Sequence, residues 1–333
     1  MTVLVTGGAG YIGSHMVLAL LDGGEDVVVL DNLSTGFDWA VPATAKLVVG
    51  NIGDAALVGS LLKDHAIDAV IHFAGSIIVP ESVSDPLGYY DNNTVNSRTL
   101  MACCVDAGIE NFIFSSTAAV YGIPDGNPVF EDAPTQPISP YGASKLMTEW
   151  MLRDTAAAHD FRYVALRYFN VSGADPSGRT GQSTPQATHL IKVACETASG
   201  KLDRMQIFGR DYDTPDGTCV RDYIHVSDLA AAHSRALDYL RGGNESAVFN
   251  CGYGHGASVI DVIKAVERAA GHGIGQQDAP RRPGDPPALV AGATRVRDIL
   301  GWTPNYDDLD VIVRHALDWE HALGQRNSGK VTA

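Results

Sequence analysis

A doubly wound α/β fold with a parallel central sheet is predicted by three observations. Short apolar segments alternate with helix-like segments through the first half of the chain. Those apolar segments are rich in Val, Ile and Phe on both faces, as strands covered by helices on two sides must be. Several of the intervening segments end at Gly, a common helix stop. Repetition of this strand–helix unit builds a doubly wound sheet.

The strands are expected at 3–6 (VLVT), 26–31 (DVVVLD), 46–50 (KLVVG), 69–75 (AVIHFAG), 111–116 (NFIFSS) and 163–170 (YVALRYFN). Helices are expected between them at 14–24, 54–65 and 92–108. After Asn170 the rhythm breaks into long Gly-, Ser- and Pro-rich stretches, such as SGADPSGRTGQSTPQATHL and GRDYDTPDGTCVRDYIH. Loops of this length inside a compact chain are usually functional.

The 333 residues suit two domains. The net charge of −15 argues against a general binder of nucleic acid or anionic membranes. An anionic ligand must then be met by a few Arg or by backbone N–H groups. Five scattered Cys (103, 104, 195, 219 and 251) include no CxxC pair and read as reduced thiols of a cytoplasmic protein. No signal peptide and no membrane span are expected. The 11 His show no ligand spacing, so no metal site is expected. His72 reads as a structural hydrogen-bonder, and Asp85 and Asp91 as helix caps.

The first strand runs into VLVTGGAGYIGSHMVLALL, which places Gly8, Gly10 and Gly13 in GxGxxG spacing and Gly7, Gly10 and Gly13 in GxxGxxG spacing. Such glycines serve a tight turn, a close backbone approach to a pyrophosphate, and helix-on-strand packing. The helix N-terminus then faces negative charge. Asp31 ends the second strand, close to the expected spacing of about 20 residues for a carboxylate that binds an adenine ribose. A carboxylate there repels a 2′-phosphate, so NAD is favoured over NADP within a Rossmann domain.

The strand NFIFSS leads into Thr117, where ligands of such sheets bind. The next helix begins in SPYGASK and places Tyr141 and Lys145 on one face, i to i+4. A phenolate can take the proton of an alcohol whose hydride leaves, but a free phenol has a pKa near 10. A neighbouring ammonium and a positive nicotinamide ring would lower it. Thr117 would hydrogen-bond the reacting oxygen and orient it.

The segments TGGAGYIG, DNLS, HFAG, YYDNN, FSSTAAVYG, SPYGASK, LRYFN and VRDYIHVSDLA occur in order along most of the chain. Together they resemble the extended short-chain dehydrogenase/reductase family, and within it the UDP-glucose 4-epimerases. The resemblance implies that Tyr141 takes the proton of the sugar 4-hydroxyl while NAD takes the hydride from C4. The 4-keto sugar then turns over, and hydride and proton return to its other face. It implies that Lys145 lowers the Tyr141 pKa and binds nicotinamide-ribose hydroxyls. Gly7, Gly10, Tyr11, Ile12, Gly13, Asp31, Asn32, Asn51, Ile52, Phe73, Ala74, Gly75 and Asn92 would hold the cofactor, with Tyr168 and Phe169 flanking the nicotinamide. On the UDP-sugar side it points to Asn170, His189, Leu190, Phe208, Tyr223, Asp285 and Leu289. Arg221 and Arg282 would meet the diphosphate. The resemblance also implies an NAD-binding domain over 1–170 to which 225–252 returns, a smaller, mainly nucleotide-sugar-binding domain over 171–333, and a homodimer formed through helices of the first domain.

Several positions depart from the family pattern: Thr117 replaces Ser, Asn51 an Asp near adenine, Ile77 a Lys, and His189 an Asn. Leu289 stands where a bulky aromatic favours glucose and galactose and a small residue admits N-acetyl sugars. UDP-galactose and UDP-glucose are the first expectation, with UDP-N-acetylhexosamines or UDP-pentoses kept open. A 4,6-dehydratase would need acid and base carboxylates after Thr117, where Ala118 and Ala119 stand. A catalytically dead NAD-sensing module would not need the intact Thr117, Tyr141 and Lys145 set. On the residues alone, Arg221 would pair with Asp222 or another local acid, and Arg281 and Arg282 would be solvated.

Overall fold

The computed structural model describes residues 1–185, 187–282 and 284–329, with side chains through 324. Its first half runs β1 (Thr2–Thr6), α1 (Tyr11–Asp22), β2 (Asp26–Asp31), β3 (Lys46–Val49), α2 (Ala55–Asp64), β4 (Ile67–His72), α3 (Val79–Ser84), α4 (Pro86–Tyr90), α5 (Asn96–Ala107), β5 (Asn111–Thr117), α6 (Pro140–Ala158) and β6 (Arg162–Tyr168). The second half runs β7 (Asn170–Ser172), α7 (Leu190–Ala198), β8 (Met205–Phe208), β9 (Val220–Arg221), β10 (Tyr223–His225), α8 (Val226–Arg241), β11 (Ala247–Cys251), β12 (Ala257–Ser258), α9 (Val259–Ala270), β13 (Gln276–Ala279), β14 (Ala288–Leu289), α10 (Thr294–Leu300) and α11 (Leu309–Gly329).

Seven strands form one parallel sheet in the order β11-β6-β5-β4-β1-β2-β3. Alternation along each strand divides the core between two faces. Val3, Val5, Val29, Ile71, Ile113 and Leu166 join one cluster, on the side of α1 and α8. Leu4, Val28, Leu30, Val70, Phe112 and Phe114 join the other, with Leu61 and Leu62 of α2 and Leu100 and Met101 of α5. Burial on both faces is why these strands carry apolar runs rather than an apolar–polar alternation. The order reverses between β1 and β4, which opens a crevice at their carboxyl ends.

Within the segment 225–252, α8 packs on α1, and β11 pairs with β6. The remaining second half forms three small sheets, β10-β7, β12-β9-β14 and β13-β8, with α7, α9 and α11 packed together.

Three expected elements change. The strand expected at 69–75 ends at His72, and Phe73, Ala74 and Gly75 form a loop. The strand expected at 163–170 ends at Tyr168, because Asn170 N–H turns to the Asp222 carbonyl (2.9 Å) and Asn170 starts β7 in another sheet. The helix expected at 92–108 begins as a π turn over Asp91–Val95 and becomes α-helical at Asn96. Asp85 caps α4 by accepting from Gly88 N–H (3.1 Å). Asp91 lies inside the π turn instead, and that turn has no side-chain cap.

Candidate active site

The glycine-rich loop is closed on its own backbone. Gly7 has φ +69°, and a Cβ there would lie 2.6 Å from Ala74 N. A Cβ on Gly13 would lie 2.1 Å from the Gly7 carbonyl oxygen, and one on Gly10 3.2 Å from it. These three positions therefore admit no side chain without displacing backbone. The N-cap of α1 is Gly10 and offers no side-chain acceptor, so the first-turn N–H groups at Tyr11, Ile12 and Gly13 remain for a ligand. This cradle fits a dinucleotide diphosphate, met by backbone N–H and helix dipole rather than by side-chain charge.

Asp31 is buried at the end of β2 and already accepts from Ala9 N–H (2.9 Å) and Leu33 N–H (2.8 Å). It thereby fixes both the glycine loop and the turn bearing Asn32, whose Oδ1 accepts from Ser34 N–H (3.0 Å). Each carboxylate oxygen keeps a further lone pair for a ribose hydroxyl. Along the same edge, Asn51 Oδ1 accepts from Gly53 N–H (2.7 Å) and Ile52 is buried. The Phe73 ring lies 4.8 Å from that of His233, and Asn92 Nδ2 donates to Ser76 Oγ (2.9 Å).

Thr117, Tyr141 and Lys145 meet at the carboxyl end of β5. Ser139 caps α6 through Gly142 N–H (3.2 Å) and Pro140 occupies its first turn, so the helix starts one residue before Tyr141. The Thr117 hydroxyl accepts from Ala119 N–H (3.1 Å) and, beside the Tyr141 phenol, lowers that group's pKa. Lys145, one turn on, is buried and donates to the Ser115 carbonyl (2.9 Å). Burial draws its ammonium down to about 8.

For the chain by itself, burial pushes the Tyr141 phenol above its ordinary value, and the opposing influence is the Thr117 hydroxyl. The Lys145 ammonium is engaged at Ser115 and lies over the Phe114 ring, 4.9 Å from its centroid.

Beyond these three residues, Tyr168 and Phe169 are both buried. The Tyr168 hydroxyl bonds His233 Nε2, while His233 Nδ1 bonds the Leu229 carbonyl (2.8 Å). Only an Nδ1–H tautomer satisfies that carbonyl, so the phenol is the donor to Nε2.

The remaining candidates lie beyond β6, in the second half of the chain. Asn170 N–H donates to the Asp222 carbonyl (2.9 Å), and Asn170 pairs with Tyr223 in register. His189 caps α7 just before Leu190, and its Nδ1 accepts from Gln182 Nε2 (2.8 Å). Arg221 and Leu289 are register partners in β9 and β14. The Arg221 guanidinium donates to the carbonyls of Val220 (2.8 Å) and Pro286 (2.9 Å) and approaches Asp285 at 3.5 Å. Asp222 is not its partner, because that carboxylate accepts N–H bonds from Tyr253, Gly254 and Ala291. Arg282 is exposed and stacks on Phe208, with its guanidinium carbon 3.8 Å from the ring centroid. Arg281 turns away to Asp211 and the Tyr212 ring.

Sequence reasoning missed Asn93. Its Oδ1 accepts from Ser76 N–H (2.7 Å), and its Nδ2 donates to the Ser76 carbonyl (2.9 Å) and Ser144 Oγ (3.1 Å). One amide thus ties the loop after β4 to α6. The reading of His72 as structural holds: it is buried between the hydroxyls of Thr6 (2.7 Å) and Ser97 (2.8 Å), and burial lowers it to about 3. Among the described residues no group of three or more His, Cys, Asp or Glu is placed to hold a metal, and no helix is long and apolar enough to cross a membrane.

Residues 3–252 match the model of the NAD dependent epimerase/dehydratase family. A UDP-glucose 4-epimerase of Azospirillum brasilense is 62% identical over 97% of this chain and 93% of its own length. The solved UDP-glucose 4-epimerase of Brucella ovis in complex with NAD is similar at TM-score 0.93 and 45% identity, over 95% of this chain and 97% of that one. The UDP-Glc/GlcNAc 4-epimerase of Campylobacter jejuni is similar at TM-score 0.85 and 49% identity, over 96% and 99%.

Proposed function

Because the chain belongs to the NAD dependent epimerase/dehydratase family, we propose that it is an isomerase that interconverts UDP-galactose and UDP-glucose with NAD as its cofactor. The observation that carries this reading is Thr117, Tyr141 and Lys145 gathered at the end of β5, with Ala118 and Ala119 where a dehydratase needs carboxylates. The curated relative from A. brasilense and the NAD-bound B. ovis structure support both substrate and cofactor.

NAD, when bound, supplies the acceptor for the sugar's C4 hydride and its later donor. The chain supplies the rest. Tyr141 removes the 4-hydroxyl proton and gives it back; Thr117 holds the reacting oxygen. Lys145 binds ribose hydroxyls. The loop at Gly7, Gly10, Tyr11, Ile12 and Gly13 holds the cofactor diphosphate, and Asp31 and Asn32 hold its adenine ribose. Asn51, Ile52, Phe73, Ala74, Gly75, Asn92, Tyr168 and Phe169 line the remainder. Arg221 and Arg282 meet the UDP diphosphate, while Asn170, His189, Leu190, Phe208, Tyr223, Asp285 and Leu289 surround uridine and sugar. In this assignment residues 1–170 and 225–252 form the cofactor domain, and the rest of 171–333 mainly the nucleotide-sugar domain.

The working enzyme is a cytoplasmic homodimer. Exposed Val83 and Leu87 on α3 and α4, with Trp150 on the adjoining α6, give an apolar face that a second copy would cover. A second substrate reading is favoured by Leu289, which is smaller than an aromatic and leaves room for a 2-acetamido group. The similarity to the C. jejuni enzyme supports it too.

The test is incubation of the purified protein with UDP-galactose and no added NAD. Formation of UDP-glucose is expected. If UDP-galactose, UDP-N-acetylgalactosamine and UDP-xylose all remain unchanged, the proposal fails.

A further inference from the structure

Behind the reacting groups lies a buried ionic cluster that the proton chemistry does not use. Glu149 follows Lys145 by one helical turn on α6, and its side chain is almost fully enclosed. Its carboxylate accepts from Ser116 Oγ and takes both Arg167 Nε (3.0 Å) and Nη2 (2.7 Å). Ser116 precedes Thr117 and Arg167 precedes Tyr168, and these pairs are register partners in β5 and β6. One carboxylate therefore joins the three segments that carry Thr117, Tyr141 and Tyr168.

Successive turns of α6 grip successive residues of β5: Lys145 holds the Ser115 carbonyl and Glu149 holds the Ser116 hydroxyl. Arg167 is anchored further by bonds to the Tyr121 hydroxyl (2.9 Å) and the Glu131 carbonyl (3.3 Å). Tyr121 donates in turn to Asn250 Oδ1 (2.7 Å) on β11. Burial disfavours the Arg167 charge, but the bonded carboxylate outweighs it and pushes the guanidinium above its ordinary value.

A buried pair of this kind is weak as a source of stability, since desolvation offsets most of the attraction. What it does supply is fixed direction, because a bidentate guanidinium–carboxylate contact tolerates little sliding. We propose that Glu149 and Arg167 are positioning residues whose contact sets α6 against the end of β5, and so fixes the spacing of Thr117 and Tyr141. This rests on the reading of Tyr141 as the proton-handling group. Loss of the contact lets α6 slide, parts Thr117 from Tyr141, and so removes the influence that lowers the phenol.

The experiment compares the full-length protein with Glu149→Gln and with Glu149→Gln/Arg167→Met. It measures melting, NAD content, KM and kcat for UDP-galactose across pH, and phenolate absorbance against the matching Tyr141→Phe proteins. For folded Glu149→Gln we expect unchanged NAD content and KM, kcat reduced about tenfold, and the Tyr141 titration moved to higher pH. The double variant should recover melting but not kcat. Parent values of kcat and Tyr141 titration in folded Glu149→Gln, or recovery of kcat together with melting in the double variant, overturn the proposal. If Glu149→Gln does not fold, Ser116→Ala removes the hydroxyl alone. It should lower kcat about threefold and move the titration in the same direction; no change in either overturns the proposal. An inactive parent would instead count against the epimerase reading, while the Tyr141 titration still reads the strut without turnover.

Discussion

The Thr117 hydroxyl stands beside the Tyr141 phenol across the junction of β5 and α6 and lowers its pKa, against a burial that pushes it upward. An ionised base near neutral pH gets little other help from the chain, so loss of that hydroxyl should be visible in the pH dependence of turnover.

Thr117→Val is therefore expected to lower kcat roughly 10²-fold and to move the acid limb of kcat to higher pH. The sign follows from removal of a lowering influence, which leaves the phenol protonated over a wider range. Thr117→Ser, which keeps the hydroxyl, should stay within about threefold of the parent. Pre-equilibrated turnover of UDP-galactose across a pH series checks both, and a Thr117→Val profile superimposable on the parent would remove Thr117 from the reaction.

Tyr141→Phe should abolish most turnover, by roughly 10²- to 10⁴-fold, while the protein keeps its NAD through the glycine loop and Asp31. Absorbance and mass measurement of released cofactor test the second half. Near-normal activity would take the base role away from Tyr141.

Lys145 is a buried cation drawn down to about 8, so its charge opposes folding at neutral pH. With a folded pKa below the unfolded value near 10.4, that cost is fully present below pH 8 and relaxes as pH rises from 8 toward 10. Lys145→Met should consequently lose activity by at least about 10²-fold without lowering the melting temperature at pH 7. A large fall in melting temperature would mean that the bond to the Ser115 carbonyl outweighs desolvation.

Acid sensitivity should begin above the carboxylate range. Burial lowers His15 and His233 to about 4 and His72 and His225 to about 3, and it lowers His189 and His315 as well. The unfolded chain binds protons at these sites from pH 6.5 downward and the folded chain does not, so stability falls as pH drops through that window. Buried Asp222 and Asp228 have raised pKa values and act in the opposite sense, but they are fewer. Melting should drop by roughly 5 °C or more between pH 7 and pH 5. A flat melting temperature over that interval would show that the two sets cancel.

In the proposed function Leu289 of β14, the register partner of Arg221, is assigned the choice between hexoses and 2-acetamido sugars. Leu289→Gly should raise the kcat/KM ratio of UDP-N-acetylgalactosamine over UDP-galactose by about tenfold or more, and Leu289→Tyr should lower it. Equal ratios in all three proteins would place the sugar elsewhere.

What was legible in the sequence was whatever depends on local chain chemistry. The strand runs, the glycine spacing, Asp31 and the Tyr141–Lys145 repeat each announce themselves within a few residues. The π turn at 91–95 did not, because its apolar and polar residues fit a helix of either pitch. Asn93 was hidden for another reason: its partners Ser76 and Ser144 come from two distant segments, and neither is a distinctive residue. Glu149 was nearer to being readable, since it repeats the i, i+4 step beyond Lys145. Its partner Arg167 shows only when β6 is laid beside β5. The engagement of the Lys145 ammonium at Ser115 likewise depended on the depth of α6 against the sheet, which spacing does not encode.

The sheet's outermost strand on one side, β11, comes from Ala247–Cys251, far downstream of the other six. A ribosome must therefore emit most of the chain before β6 acquires its second neighbour and Tyr121 its Asn250 acceptor. The cofactor half is thus not an early-maturing unit awaiting an appended partner. A nascent chain halted at residue 170 would expose the β6 edge and the face of α1 that α8 covers, so chaperone engagement during synthesis should persist until β11 has left the exit tunnel.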